Sequence, residues 1–178
     1  MSILKFLGFG EAGAGGPAVP PSAETESVRA IIRALDLLEP DRARFLAAFA
    51  YILGRVARAD LVISETEGAE MERLLVDQGS LTPEQAILVV QMAKTQHALF
   101  GGTENYLVTR EFNRIASHDQ KLALLQCLFS VSASDESISV VEDNEIRRIA
   151  SELRLTHEDF IKSRSAWRDY LAVLKKRS

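Results

Sequence analysis

The sequence predicts an all-α fold: a single-domain bundle of about seven to eight helices with an internal pseudo-two-fold repeat of a helix–acidic loop–helix unit. Three observations carry this. After Ser22, apolar residues recur every three or four positions. Gly, Pro and capping residues cut that pattern into helix-length pieces. Two segments 75 residues apart also match one another closely. Strict two-residue alternation is nowhere sustained, and although Leu61-Val62-Ile63 has some extended character, no partner strand suggests itself.

The bulk numbers agree with one folded domain. The chain has 178 residues, 47% hydrophobic and 26% charged, an ordinary globular composition. A net charge of −4 argues against nucleic acid as the main partner, because phosphate binding needs a concentrated basic surface. The densest basic run, Lys175-Lys176-Arg177, reads as a solvated helix end whose cations complement the helix dipole. The one cysteine, Cys127, excludes an internal disulfide, fits a reducing compartment and lies in the apolar stretch Leu122 to Val131, where a buried structural thiol is expected. No apolar run approaches the roughly 18 residues of a transmembrane helix.

Residues 1–22 form an N-terminal segment and linker ahead of a helical domain over 23–178. Ile3, Leu4, Phe6, Leu7 and Phe9 make residues 1–9 apolar, a candidate docking segment for a membrane surface or a partner. Lys5 is misplaced for a signal peptide and the apolar part is short, so no export is expected. Glu11 to Ser22, EAGAGGPAVPPS, is too rich in Gly and Pro for helix or strand and reads as a flexible linker.

The first helix is expected from about Thr25 to Leu38, with Val28, Ile31, Ile32, Leu35 and Leu38 on one face. Pro40 interrupts it and suits the first turn of the next helix, which runs to about Ala59. That second helix is apolar over a wide arc and should be central. The third spans about Glu65 to Gln78 and stops before Gly79. The fourth opens at Thr82-Pro83-Glu84-Gln85, an N-cap with Pro at the first position and Gln at the third, and stops at Gly101-Gly102. The fifth covers about Thr103 to Ala116, the sixth Asp119 to Ser134 and the seventh Val140 to Glu152. The eighth follows the Thr156/Asp159 cap and continues to about Lys175, with Phe160, Trp167, Tyr170, Leu171 and Leu174 as a core-facing stripe.

In the repeat, Asp60 pairs with Asp135, Ile63 with Ile138, Ser64 with Ser139, Glu67 with Glu142, Glu70 with Glu145 and Arg73 with Arg148. Upstream, Phe49, Leu53 and Val56 pair with Leu124, Leu128 and Val131; downstream, Leu81-Thr82 matches Leu155-Thr156 after a one-residue slip. Ser64-x-x-Glu67 and Ser139-x-x-Glu142 have the form of capping boxes, which accounts for Ser and Glu without a ligand. Asp60 and Asp135 each end an apolar helix, where the dipole disfavours an acid by a few tenths of a kcal/mol up to about 1. Two readings follow. In one, the aspartates meet a backbone amide or an arginine such as Arg58 or Arg73. In the other, carboxylates of both loops hold a divalent cation, the candidate ligands being Asp60, Glu67, Asp135 and Glu142. Oxygen ligands suit Ca²⁺, Mg²⁺ or Mn²⁺, with Zn²⁺ a further candidate. The loop is not an EF-hand: with Asp135 as its first position, Val140 and Ile146 stand where that motif needs Gly and Glu.

Other chemistry is thin. His97, His118 and His157 share no metal-ligand spacing, and no nucleophile–base pair can be read, so an enzyme is not expected.

At the two Asp-x-x-Ile-Ser-x-x-Glu units the chain resembles the TerB-like family, which covers tellurite-resistance TerB proteins and the N-terminal domain of DjlA-type co-chaperones. Its members carry an apolar helix ending in Ala-Asp-Gly-x-Ile-x-x-x-Glu, usually twice. The copies here are Ala59-Asp60-Leu61-Val62-Ile63-Ser64-Glu65-Thr66-Glu67 and Ser134-Asp135-Glu136-Ser137-Ile138-Ser139-Val140-Val141-Glu142, and the resemblance spans roughly Asp41 to Ala172. Leu61 and Glu136 stand where the family usually has Gly, so the turn must form without that freedom. The resemblance implies a helical bundle, a cytoplasmic role in stress or metal-ion responses, unidentified protein partners and cation binding by the repeated acids.

Overall fold

The computed structural model describes residues 23–56, 65–95, 105–133 and 136–175. The expected N-terminal segment and linker, the first acidic loop, Asp135 and the Gly101-Gly102 stop lie outside them.

Nine α-helices occur among the described residues, and the fold is all-α as expected. They are α1 (Ala23–Asp36), α2 (Pro40–Val56), α3 (Glu65–Gly79), α4 (Pro83–Lys94), α5 (Asn105–Ile115), α6 (His118–Ala133), α7 (Val140–Glu152), α8 (His157–Ser165) and the short α9 (Ala172–Lys175). None of the described helices is long and apolar enough to cross a membrane.

The two apolar helices of the repeat are the axes of the fold. Pro40 starts α2 where its missing N–H is no loss. Every residue from Phe45 to Val56 is buried, because a helix apolar on all sides must be covered on all sides. It packs against α1, α4, α5, α6 and α7. Its counterpart α6 is buried from Cys127 to Ala133 and packs against α2, α3, α7 and α8. Aromatic rings join the layers: Phe112 of α5 lies 5.2 Å from Phe45 and 6.1 Å from Phe49, and Phe129 of α6 lies 6.0 Å from Phe160 of α8.

The repeat extends into the connections. Ser80 and Arg154 both adopt the left-handed conformation, φ 55° and 56°, where the chain leaves α3 and α7. Each precedes a buried leucine, Leu81 or Leu155, and then a capping threonine. Thr82 with Gln85 and Thr156 with Asp159 both close full capping boxes. Ser117 and Gln120 form a further reciprocal pair at the start of α6.

The C-terminal stretch departs from expectation. The anticipated helix from Thr156 to Lys175 breaks after Ser165. A 3₁₀ turn over Arg168–Tyr170 follows, then Leu171 in an extended conformation (φ −71°, ψ 113°), then α9. Tertiary pairing overrides helix propensity here. The Ile138 N–H donates to the Tyr170 carbonyl at 2.7 Å, and the Ala172 N–H donates to the Ile138 carbonyl at 2.9 Å, a parallel bridge between Ile138 and Leu171. Both side chains are about 1% exposed, so the bridge closes over two buried aliphatic groups. Of the expected stripe, Phe160 and Leu171 are buried and Trp167 is half-buried, whereas Tyr170 and Leu174 face solvent.

Candidate functional site

Of the four residues singled out as cation ligands, Asp60 and Asp135 lie outside the described residues. Glu67 lies in the first turn of α3, with its side chain outside them. Glu142 is at the third position of α7, half-buried. Its carboxylate accepts the Ser139 N–H at 2.8 Å while the Ser139 hydroxyl accepts the Glu142 N–H at 3.2 Å. The second capping box therefore forms, and one Glu142 oxygen is committed to it. The other makes no hydrogen bond among the described residues.

The turn into α7 is built from both ends. Glu136 adopts φ 61° and its N–H bonds the Ala133 carbonyl at 2.9 Å, closing the end of α6. Glu136 thus takes the left-handed backbone that glycine takes most readily, at the position where a Gly was expected from resemblance. Ile138 is then held by its bridge to Leu171, and Ser139 (φ −66°, ψ 161°) starts the helix.

An open cleft of about 570 Å³ lies beside this turn. Arg55 and Val56 at the end of α2 form one wall; Val141, Glu142, Asn144, Glu145 and Arg148 of α7 form the other. Behind it sits an ion cluster that was not anticipated. Arg55, its side chain 1% exposed, uses all five N–H donors. Nε and Nη2 donate to Glu145 Oε1 at 3.0 and 2.7 Å, Nη1 donates to Glu152 Oε2 at 2.7 Å and Thr109 at 2.9 Å, and Nη2 also reaches Glu152 Oε1 at 3.3 Å. Arg148 adds a contact to Glu152 at 3.2 Å. Burial pushes the Glu152 carboxyl up, but hydrogen bonds from Arg55 and Thr109 and the charges of Arg55 and Arg148 outweigh it and leave it below the usual range. Burial likewise disfavours the Arg55 cation, and its two carboxylate partners reverse that. On the far side of α7, buried Asp143 accepts two 2.8 Å hydrogen bonds from Arg164 of α8. The sequence signal for Arg55 was a charge inside an apolar arc, between Leu53 and Val56, which burial forces to find partners.

The other candidate groups have ordinary surroundings. Arg73, considered as a partner for Asp60, is engaged by Glu70 of its own helix at 2.6 Å. His118 approaches Asp159 at 3.6 Å, and His157 is an exposed residue at the start of α8. Cys127 is buried, which pushes its thiol up to about 12 and removes thiolate reactivity at neutral pH. Among the described residues, no group of three or more His, Cys, Asp or Glu side chains is placed to hold a metal ion.

No curated protein and no solved structure matches the chain. Residues 45–165, from Phe45 in α2 to Ser165 at the end of α8, match the family model described as tellurite resistance protein TerB, and the chain belongs to that family.

Proposed function

We propose that the chain is a non-enzymatic TerB-type binding module that takes up a divalent cation through its repeated acidic loops. It presents its surface to partner proteins in a cytoplasmic stress or tellurite-resistance setting. Asp60 and Asp135 are the principal ligands, Glu67 and Glu142 the supporting ones. An all-oxygen donor set favours Ca²⁺, Mg²⁺ or Mn²⁺ over Zn²⁺.

One observation supports this reading above others. The chain enters the first acidic loop from Val56 and leaves the second at Val141 and Glu142, and these residues line one cleft. The reading assigns the ligands of both repeats to this cleft, on whose wall Glu142 retains a carboxylate oxygen with no hydrogen bond among the described residues. A cation would also offset the cost of an aspartate where the sequence predicts the end of each apolar helix.

Calorimetric titration and thermal melts with Ca²⁺, Mg²⁺, Mn²⁺ and Zn²⁺ test it. Wild type should show binding heat and a raised Tm with at least one ion, and Asp60→Asn with Asp135→Asn should abolish both. Silence of the wild type at millimolar metal overturns the reading.

The closed Ser139–Glu142 box favours a second reading, a purely structural protein-interaction domain whose acids only cap helices. Under it, the double asparagine variant loses little stability and still captures its partners.

A further inference from the structure

Half of the large apolar side chains exposed among the described residues gather around one contact. Val140, Val141, Tyr170, Val173 and Leu174, five of ten, all lie within three residues of the bridged pair Ile138 and Leu171. The bridge is parallel, so α7 and α9 start from it side by side and bring these residues to one surface. A gathered apolar patch of this kind marks an interaction site. The segment that makes the contact also has a second conformation open to it. Apolar spacing from Thr156 to Lys175 suits one continuous helix, yet the chain breaks after Ser165. The break is shallow: Ala166 is still helical (φ −64°, ψ −22°), Trp167 sits at φ −109°, ψ 17°, and a 3₁₀ turn follows. Modest rotations there extend α8 and carry Leu171, six residues beyond Ser165, about 9 Å along the helix axis and off Ile138. Few contacts oppose this. They are the half-buried Trp167, whose indole N–H donates to Gln126 at 3.2 Å, two backbone hydrogen bonds to Ile138, and the buried Leu171 side chain.

We propose that two copies of the chain associate through this face and exchange residues 166–175, so that Leu171 of each copy closes the bridge to Ile138 of the other. The occupant follows from what the slot already holds. Ile138 offers one N–H and one carbonyl to an extended backbone, and the core beneath accepts one leucine; this segment meets both demands. Exchange re-forms the same contacts in trans, so only the hinge and the association itself change in free energy. A two-fold pair also sets the two apolar patches against each other. Five partly exposed side chains alone fall well short of the roughly 800 Å² per partner that a specific interface buries, and the exchanged Ile138–Leu171 pair supplies the rest of the contact.

Full-length chains carrying Ile138→Cys or Leu171→Cys, mixed at millimolar concentration and oxidised, test the exchange. Bridged residues lie about 4.8 Å apart, within reach of a disulfide. Cys127 is buried with its thiol pushed up to about 12 and does not compete. A dilute chain carrying both substitutions should oxidise within itself, which establishes that the pair reacts. The mixture should give a covalent dimer joined from position 138 to position 171, identified by mass spectrometry of its digest. Light scattering of the wild type should show a dimer fraction that rises with concentration. Val140→Glu with Val173→Glu, both at exposed positions, should weaken that dimer about tenfold or more and leave Tm unchanged. A wild type that stays monomeric at millimolar concentration overturns the proposal. So does a dimer in which the 138–171 disulfide forms only within each chain. Should the cysteine chains not fold, the glutamate pair decides: an unchanged dimer constant places the interface elsewhere and overturns the proposal.

Discussion

The second helices of the two repeats carry the same charged pattern and use it differently. On α3, Glu70, Arg73 and Asp77 form a surface ladder: Arg73 lies 2.6 Å from Glu70 and 3.9 Å from Asp77, with side chains 45–63% exposed. On α7, Glu145, Arg148 and Glu152 occupy the matching positions, but both acids turn onto Arg55 of α2. The residue 75 positions after Arg55 is Ser130, so α6 offers no such cation to α3. One residue therefore converts a solvated ladder into a tie between helices from different repeats. A duplicated sequence fixes which charges are present; the partner helix decides whether they contribute to stability.

Arg55→Met is the most severe way to break this contrast. It leaves Glu145 and Glu152, with side chains 26% and 15% exposed, without their main cation. Unpairing a buried ion pair costs roughly 3 kcal/mol or more, which should appear as a lower urea midpoint. An unchanged midpoint would show that Arg55 is no more important than its surface analogue.

Acid should reveal the same tie more gently. Burial raises the Glu152 carboxyl, yet hydrogen bonds from Arg55 and Thr109 and the nearby arginine charges set it below its ordinary 4.5. A depressed carboxyl contributes stability that is present above the unfolded value and is lost as pH falls through the folded one. Wild-type stability should therefore decline as pH drops below about 4.5. In Arg55→Met that decline should be shallower, because Glu152 has lost its chief partner. Equal slopes would assign the acid sensitivity to other carboxylates.

How far this was legible differs by element. Burial of α2 followed from its wide apolar arc, and the Thr82 and Thr156 caps followed from spacing alone, because both are decided within a few residues of the chain. The partners of Arg55 were invisible for the opposite reason, although its charge inside an apolar arc signalled that it must have some. Its five hydrogen bonds go to residues 54 to 97 positions away, and local pattern says nothing about such partners. The break after Ser165 was missed on the same grounds, since the residue that draws Leu171 out of the helix is Ile138. Of the candidate site, only the structural half of Glu142 was readable: its cap could be inferred from Ser139-x-x-Glu142, its place on the cleft wall beside Val56 could not.

Glu136 sharpens the comparison at the loops. It holds φ 61° at the end of α6, where a side chain is sterically disfavoured and glycine is not. Glu136→Gly should raise the urea midpoint, by up to about 1 kcal/mol in stability once the extra backbone entropy of glycine is subtracted. A loss instead would mean that the Glu136 side chain stabilises the turn by more than its backbone costs.

The smallest effect is expected where the chemistry looks strongest on paper. Arg73 makes two hydrogen bonds to Glu70, at 2.6 and 3.1 Å, a bidentate pair as short as any in the Arg55 cluster. Both partners stand in water, however, so little desolvation accompanies the pair and solvent screens it. Arg73→Ala should leave the urea midpoint within error of wild type, while Arg55→Met lowers it plainly. A drop with Arg73→Ala comparable to that with Arg55→Met would mean that hydrogen-bond length, and not burial, governs these clusters. The contrast between the two repeats would then lose its physical basis.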